Sequence, residues 1–183
     1  MIYLKDEFGS EILDRIKSLY ERSFPKSEKK PFSLMESKRL SGDMEFLAIF
    51  EDGDSFVGLA ITIICDGITL LDYFAIEQEH RGRGIGRSVL GLIKERYSGK
   101  KLILEIEDPE EITADNQEER VRRYGFYKRC GMHNMPYRVM LFGVKMMIMC
   151  FSEECVDFPE YHAIFRKVFS EKTAAKVCLV SGE

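Results

Sequence analysis

Glu79-His80-Arg81-Gly82-Arg83-Gly84-Ile85-Gly86-Arg87-Ser88 is the stretch on which the reading of this chain turns. Glycines stand at 82, 84 and 86. A residue without Cβ lets the backbone pass close to a ligand and enter φ > 0 at little cost. The apolar run Leu70-Leu71-Asp72-Tyr73-Phe74-Ala75-Ile76 precedes the stretch, and Val89-Leu90-Gly91-Leu92-Ile93-Lys94 follows it. Apolar residues at 85, 89, 90, 92 and 93 have helical spacing, so the glycines open an amphipathic helix that follows a strand. Its first turn has free N–H groups and the positive end of the helix dipole, and Arg81, Arg83 and Arg87 add full charges. A phosphate or pyrophosphate is the expected guest.

Two common phosphate loops fail on residues. A Walker A loop needs Gly-Lys-Ser/Thr, whereas Gly86 is followed by Arg87-Ser88; a dinucleotide fingerprint needs a glycine where Arg87 stands. About forty residues further on lies Tyr127-Lys128-Arg129-Cys130-Gly131-Met132. Together, Arg81-Gly82-Arg83-Gly84-Ile85-Gly86 and this second block resemble the Arg/Gln-x-x-Gly-x-Gly/Ala and Tyr-x-x-x-Gly-Phe motifs of the GNAT superfamily of acyl-CoA N-acyltransferases. The motifs cover about residues 68–132. Met132 stands where the family usually has Phe, a packing change that an adaptable side chain tolerates. Seven and four residues before Tyr127 the family often carries Asn and Ala; here they are Arg120 and Arg123, so that Asn's contacts to the pantetheine arm are not carried over.

Outward from the loop, the chain divides into alternating elements. On the N-terminal side, Ile12, Ile16, Leu19 and Tyr20 mark a helix between Gly9-Ser10 and Pro25. The polar connection Ser27–Pro31 leads to a second short helix at 33–40. Phe24, Pro25, Phe32 and Met35 either border an acceptor pocket or fill the core beneath a loop. Residues 45–51, 56–64 and 68–76, separated by Asp52-Gly53-Asp54 and Asp66-Gly67, read as an antiparallel meander delivering the chain to the glycines. On the C-terminal side, Lys101-Leu102-Ile103-Leu104-Glu105-Ile106-Glu107 alternates as a strand. A right-handed crossover makes the strands at 70–76 and 101–107 parallel neighbours. An acidic loop then leads to a helix at 116–130 ended by Gly131. A hairpin at 137–150 follows, and a packing helix is marked by Phe158, Tyr161, Phe165, Val168 and Phe169. The fold class is mixed α/β; the resemblance implies a GNAT-like central mixed sheet with helices on both faces and a parallel pair that splays.

Composition narrows the rest. The 183 residues fit one domain, 1–183, with no linker-like or repeated segment. At 45% hydrophobic and 32% charged, the chain has the composition of a globular protein, and a net charge of −4 argues against nucleic-acid partners. Met1–Asp6 lacks a cationic and apolar leader, and the longest apolar run, 139–151, contains Lys145, so a cytoplasmic protein without membrane partners is expected. Cys65, Cys130, Cys150, Cys155 and Cys178 show no metal-ligand spacing, so reduced, mostly buried thiols and no metal are expected.

The resemblance implies an N-acetyltransferase with acetyl-CoA as co-substrate and a primary amine, on a small molecule or peptide, attacking the thioester carbonyl directly. It assigns Arg81, Gly82, Arg83, Gly84, Ile85, Gly86 and Arg87 to the coenzyme A pyrophosphate. Phe74, Ala75 and Ile76 would meet the acyl-pantetheine arm and the oxyanion through their amides. Tyr127 would protonate the departing thiolate, and Glu107, with Glu105 and Asp72 behind it, would take the amine's proton. His80 reads as a surface residue, and His133 and His162 have no evident partner. The cluster Glu105, Glu107, Asp108, Glu110 and Glu111 suggests a cationic acceptor. A catalytically silent acyl-CoA sensor on the same fold is the alternative, and a nucleotide-binding protein a second one disfavoured by the loop residues. The protein would be a monomer or homodimer.

Overall fold

Long apolar strands whose successive residues are all buried must be covered on both faces, and β3, Ser55–Cys65, is such a strand, buried from Phe56 to Ile63. The computed structural model describes residues 1–26, 28–112, 114–151, 154 and 156–180; Ser27 of the first polar connection, Thr113 of the acidic loop and Cys155 lie outside the described residues. The chain forms two compact units, residues 1–64 with 71–98, and residues 65–70 with 99–183.

In the first unit the strand order is β1 (Ile2–Lys5), β2 (Met44–Glu51), β3 and β4 (Ile68–Ile76, through its residues 71–76). β1 and β2 are antiparallel with Ile2 opposite Glu51, and β2 and β3 are antiparallel with Glu51 opposite Ser55. The intervening loop has Gly53 and Asp54 in the left-handed region, φ 80° and 60°. The helices are α1 (Ser10–Ser23), α2 (Phe32–Leu40) and α3 (Ile85–Arg96), and each buries one stripe: Ile16, Leu19 and Tyr20; Phe32 and Met35; Ile85, Val89, Leu90 and Ile93. Phe32 and Met35 therefore belong to the core. β1 escapes sequence reading because a half-buried four-residue edge strand carries no periodic signal.

In the second unit, the first residues of β4 lie beside β5 (Lys101–Glu107), where Lys101 N–H donates to Gly67 O over 2.9 Å; these form the parallel pair of an otherwise antiparallel arrangement. The order continues β5, β7 (Val144–Cys150), β6 (His133–Leu141), β8 (Val177–Leu179). The β6–β7 turn places Phe142 and Gly143 at φ 50° and 88°. α4 (Gln117–Arg129), α5 (Phe158–Val168) and the short α6 (Glu171–Ala174) complete the unit. α5 starts with a reciprocal cap in which Asp157 accepts from Glu160 N–H and Glu160 accepts from Asp157 N–H, and it buries Tyr161, Ile164, Phe165 and Val168.

The cysteines depart from expectation: among the four described, only Cys150 is buried, Cys65 and Cys130 are half-buried, and Cys178 is exposed. Among the described residues no helix is long and apolar enough to cross a membrane, and no group of three or more His, Cys, Asp or Glu is placed to hold a metal ion.

Candidate active site

The first unit holds the glycine loop. After β4 the chain makes a short 3-10 turn at Gln78–His80 and enters α3 through Gly82 and Gly84, at φ 78° and 79°. An L side chain is strained there, and a Cβ at either position would meet nothing within 4 Å, so the two glycines are required by backbone conformation and border open space. No side chain caps α3. Its first bonds run from Arg87 and Ser88 N–H to Gly84 O, and no protein acceptor among the described residues takes the N–H of Gly84, Ile85 or Gly86. These donors, at the positive end of a helix dipole, fit a phosphate.

The three arginines divide. Arg81 Nε donates to Ile76 O over 2.9 Å. Arg83 Nη2 donates to Glu51 Oε1 over 2.8 Å, and its Nη1 lies 3.0 Å from His80 Nδ1, which must accept. Arg87 is exposed and has no partner among the described residues. His80 is thus half-buried beside the loop rather than a bare surface residue.

Beneath the loop, the end of β4 presses on β3. A Cβ at Gly58 would lie 2.5 Å from Ala75 O and 2.9 Å from Ile76 Cδ1, so only glycine permits this approach. A lone glycine in an apolar strand, as Gly58 is, signals such a close backbone approach in the sequence. Asp72 is already engaged: Lys30 Nζ donates to both its oxygens, over 2.7 and 2.9 Å. Tyr73 OH donates to Glu28 O and accepts from Lys30 N–H, and Tyr20 OH donates to Lys30 O, which ties the connection after α1 onto β4.

The second unit holds the other predicted groups. Glu107 is only 7% exposed: Oε1 accepts from Arg120 Nη2 over 2.6 Å, Oε2 accepts from Asn116 Nδ2 over 2.9 Å, and Arg123 Nη1 lies 3.5 Å away. Arg120, also buried, further donates to Glu111 Oε2 and Asn116 Oδ1, both over 2.7 Å. Residue spacing gives no sign of this hub, because Arg120 in sequence is only a departure from the family's Asn. Asp108 is fully buried; its Oδ2 lies 3.3 Å from Lys145 Nζ and 3.4 Å from Arg138 Nε without hydrogen-bond alignment, so attraction there is coulombic. Glu105 Oε1 accepts from Tyr161 OH, and Glu110 faces Arg138. Of the five acids read as an attracting cluster, Glu107, Asp108, Glu110 and Glu111 therefore meet four cations, Arg120, Arg123, Arg138 and Lys145, while Glu105 meets the Tyr161 hydroxyl, and most of their field is spent within the unit.

Tyr127, on α4, is 8% exposed, and its hydroxyl has no hydrogen-bond partner among the described residues. Burial pushes the phenol up to about 12, a rise that the positive charge of Arg123 partly opposes. Tyr124 differs: its oxygen accepts from Asn134 Nδ2 over 3.2 Å.

Set against known proteins, residues 13–132 match the model described as "Acetyltransferase (GNAT) family". No curated protein matches the chain by sequence. Solved structures share its fold. A protein described as a GNAT-family acetyltransferase from Bacteroides thetaiotaomicron superposes with TM-score 0.74 at 20% identity, covering 94% of this chain and 98% of that one. Spermidine N-acetyltransferase from Vibrio cholerae, solved with CoA and spermine, gives 0.63 at 16%, covering 83% and 96%. The ribosomal-protein-S18-alanine N-acetyltransferase of Escherichia coli gives 0.61 at 14%, covering 86% and 97%.

Proposed function

The chain belongs to the GNAT family of acetyltransferases, and from that premise we propose that it transfers an acetyl group from acetyl-CoA to a primary amine by direct attack. One observation carries the reading: the N–H groups where Gly84 opens α3, without a protein acceptor among the described residues, within the region that matches the family. In this proposal the backbone from Arg83 to Arg87 binds the pyrophosphate, and the backbone of Phe74, Ala75 and Ile76 receives the acyl-pantetheine arm.

The residues of the second unit take the proton roles. Glu107 is the proposed base, directly or through water; with both oxygens already engaged, it acts by loosening one contact or relaying through it. Tyr127 is the proposed acid. A phenol near 12 giving its proton outright to a thiolate of ordinary pKa is roughly 5 kcal/mol uphill. Its hydrogen bond to the departing sulfur therefore carries the stabilisation while charge develops.

The acceptor is a primary amine on a small molecule or a peptide. Relatives of the same fold span both, one named for spermidine and one for an alanine of a ribosomal protein. A single catalytic domain over 1–183, a monomer or homodimer, and a cytoplasmic location complete the proposal; one family match running through residues of both units supports the first. The test is a screen of small amines and peptide N-termini with acetyl-CoA, reading thiol release, alongside calorimetry with acetyl-CoA. Release with at least one amine is expected. Binding without release on any amine would make the protein an acyl-CoA sensor, and no binding would overturn the reading.

A further inference from the structure

Resting on the reading that the glycine loop holds the pyrophosphate, we propose that Glu51 is a positioning residue for that loop and acts through Arg83. Arg83 sits between Gly82 and Gly84, both left-handed, in a segment exposed from Arg81 to Gly84. Glycine on each side gives the backbone its greatest freedom, and no helix or strand bond fixes residue 83. Shape must come from side-chain tethers. The local one is Arg81 Nε to Ile76 O, and the long-range one is Arg83 to Glu51.

Glu51 suits the task because its own backbone is fixed on both sides. It is the last residue of β2, opposite Ile2 of β1 and Ser55 of β3. Its side chain is 24% exposed, against 52% for Arg83, so the anchor is the less mobile partner. His80 completes the grip: Arg83 Nη2 donates to Glu51 Oε1 while Nη1 donates to His80 Nδ1 over 3.0 Å. An ion pair this exposed adds little to global stability. Its effect falls on the loop, where holding the N–H groups in their binding arrangement before the ligand arrives lowers the ordering cost of binding. Arg83 is therefore a shaping residue, and Arg87, without a protein partner among the described residues, is the cation left for the ligand.

The test is a double-mutant cycle read by calorimetry with coenzyme A, with the thermal midpoint of each variant and amide exchange of residues 82–86 in the free protein. Glu51→Gln and Arg83→Gln should each weaken binding about three- to tenfold, the double variant no more than either, with midpoints nearly unchanged and exchange faster at 82–86. Arg83→Lys should recover part of the loss relative to Arg83→Gln when Glu51 is present and none of it with Glu51→Gln. Arg87→Gln should weaken binding and flatten its dependence on salt, which Glu51→Gln should leave as it is. The proposal is overturned if Glu51→Gln binds as well as or better than the parent while Arg83→Gln loses affinity, if the two losses multiply, if Arg83→Lys recovers affinity regardless of Glu51, or if exchange at 82–86 stays unchanged. Failure of the parent protein to bind coenzyme A would overturn the reading of the loop itself, and the proposal with it.

Discussion

Arginine does opposite work in the two units. Around the glycine loop, Arg81, Arg83 and Arg87 are exposed, two tethered to the protein by one or two contacts and the third without a partner among the described residues. In the second unit, Arg120 is 8% exposed and its guanidinium donates to Glu107, Glu111 and Asn116 at once. The first arrangement leaves donors open and little committed energy, as a site that must admit and release an anion requires. The second closes a buried charge, where a missing partner is expensive because water cannot replace it. A cluster of charges in a sequence does not reveal which of these it is.

The largest expected effects lie in the closed cluster. Arg120→Met takes the nearer cation from the buried Glu107 carboxylate, leaving it Asn116 and the more distant Arg123, and should cost about 3 kcal/mol, which for a chain of this size lowers the melting midpoint by roughly 10 °C. Adding Glu107→Leu should recover much of that loss, because a matched apolar pair carries no desolvation penalty; a double variant as unstable as the single one would mean that the hub is not a closed pair. Glu107→Gln keeps the shape and removes the charge. If Glu107 is the base, turnover should fall by about 10²–10⁴. Turnover within twofold of the parent across pH would leave Glu107 a purely structural partner of Arg120.

Intermediate effects test the open loop and the buried phenol. Gly84→Val forces a β-branched residue to φ 79° and should weaken acetyl-CoA binding at least tenfold, about 1.4 kcal/mol, by calorimetry. Tyr127→Phe should lose turnover tenfold or more with acetyl-CoA binding nearly intact, and Tyr124→Phe much less. Equal losses would assign the proton to another group. The raised phenol also fixes a pH dependence. Its folded value, about 12, exceeds the ordinary value of 10, so the folded state holds the proton longer than the unfolded state. Stability from Tyr127 is therefore intact below pH 10 and declines between pH 10 and 12, by about 3 kcal/mol in all, so alkaline denaturation should be weaker in Tyr127→Phe than in the parent, with the buried Tyr20 and Tyr97 leaving a remainder in both.

The smallest expected effect is at Glu110, whose side chain is 76% exposed and faces Arg138. Because the surrounding acids are already matched by cations, Glu110→Gln should change the apparent affinity for the acceptor amine less than twofold. A change of tenfold that disappears at high salt would restore the acidic cluster as an attractor of cationic substrates.

The sequence by itself determined the order of elements and the place of the loop. Period-two and period-3.6 patterns located β2 to β5 and α1 to α4 within a few residues, because burial of one stripe or of two faces is written in apolar spacing. Alternating glycines ahead of a helical stripe located the loop that opens α3, because φ > 0 is a local backbone need. Partner choice belonged to the tertiary structure. Glu51 and Arg83 are 32 residues apart, and Glu107 and Arg120 are 13 apart on different elements. Whether an arginine tethers a loop, neutralises a buried carboxylate or waits for a ligand depends on which side chain the fold brings within about 3 Å. It depends also on how much water remains there, and neither quantity is a property of residue type or spacing.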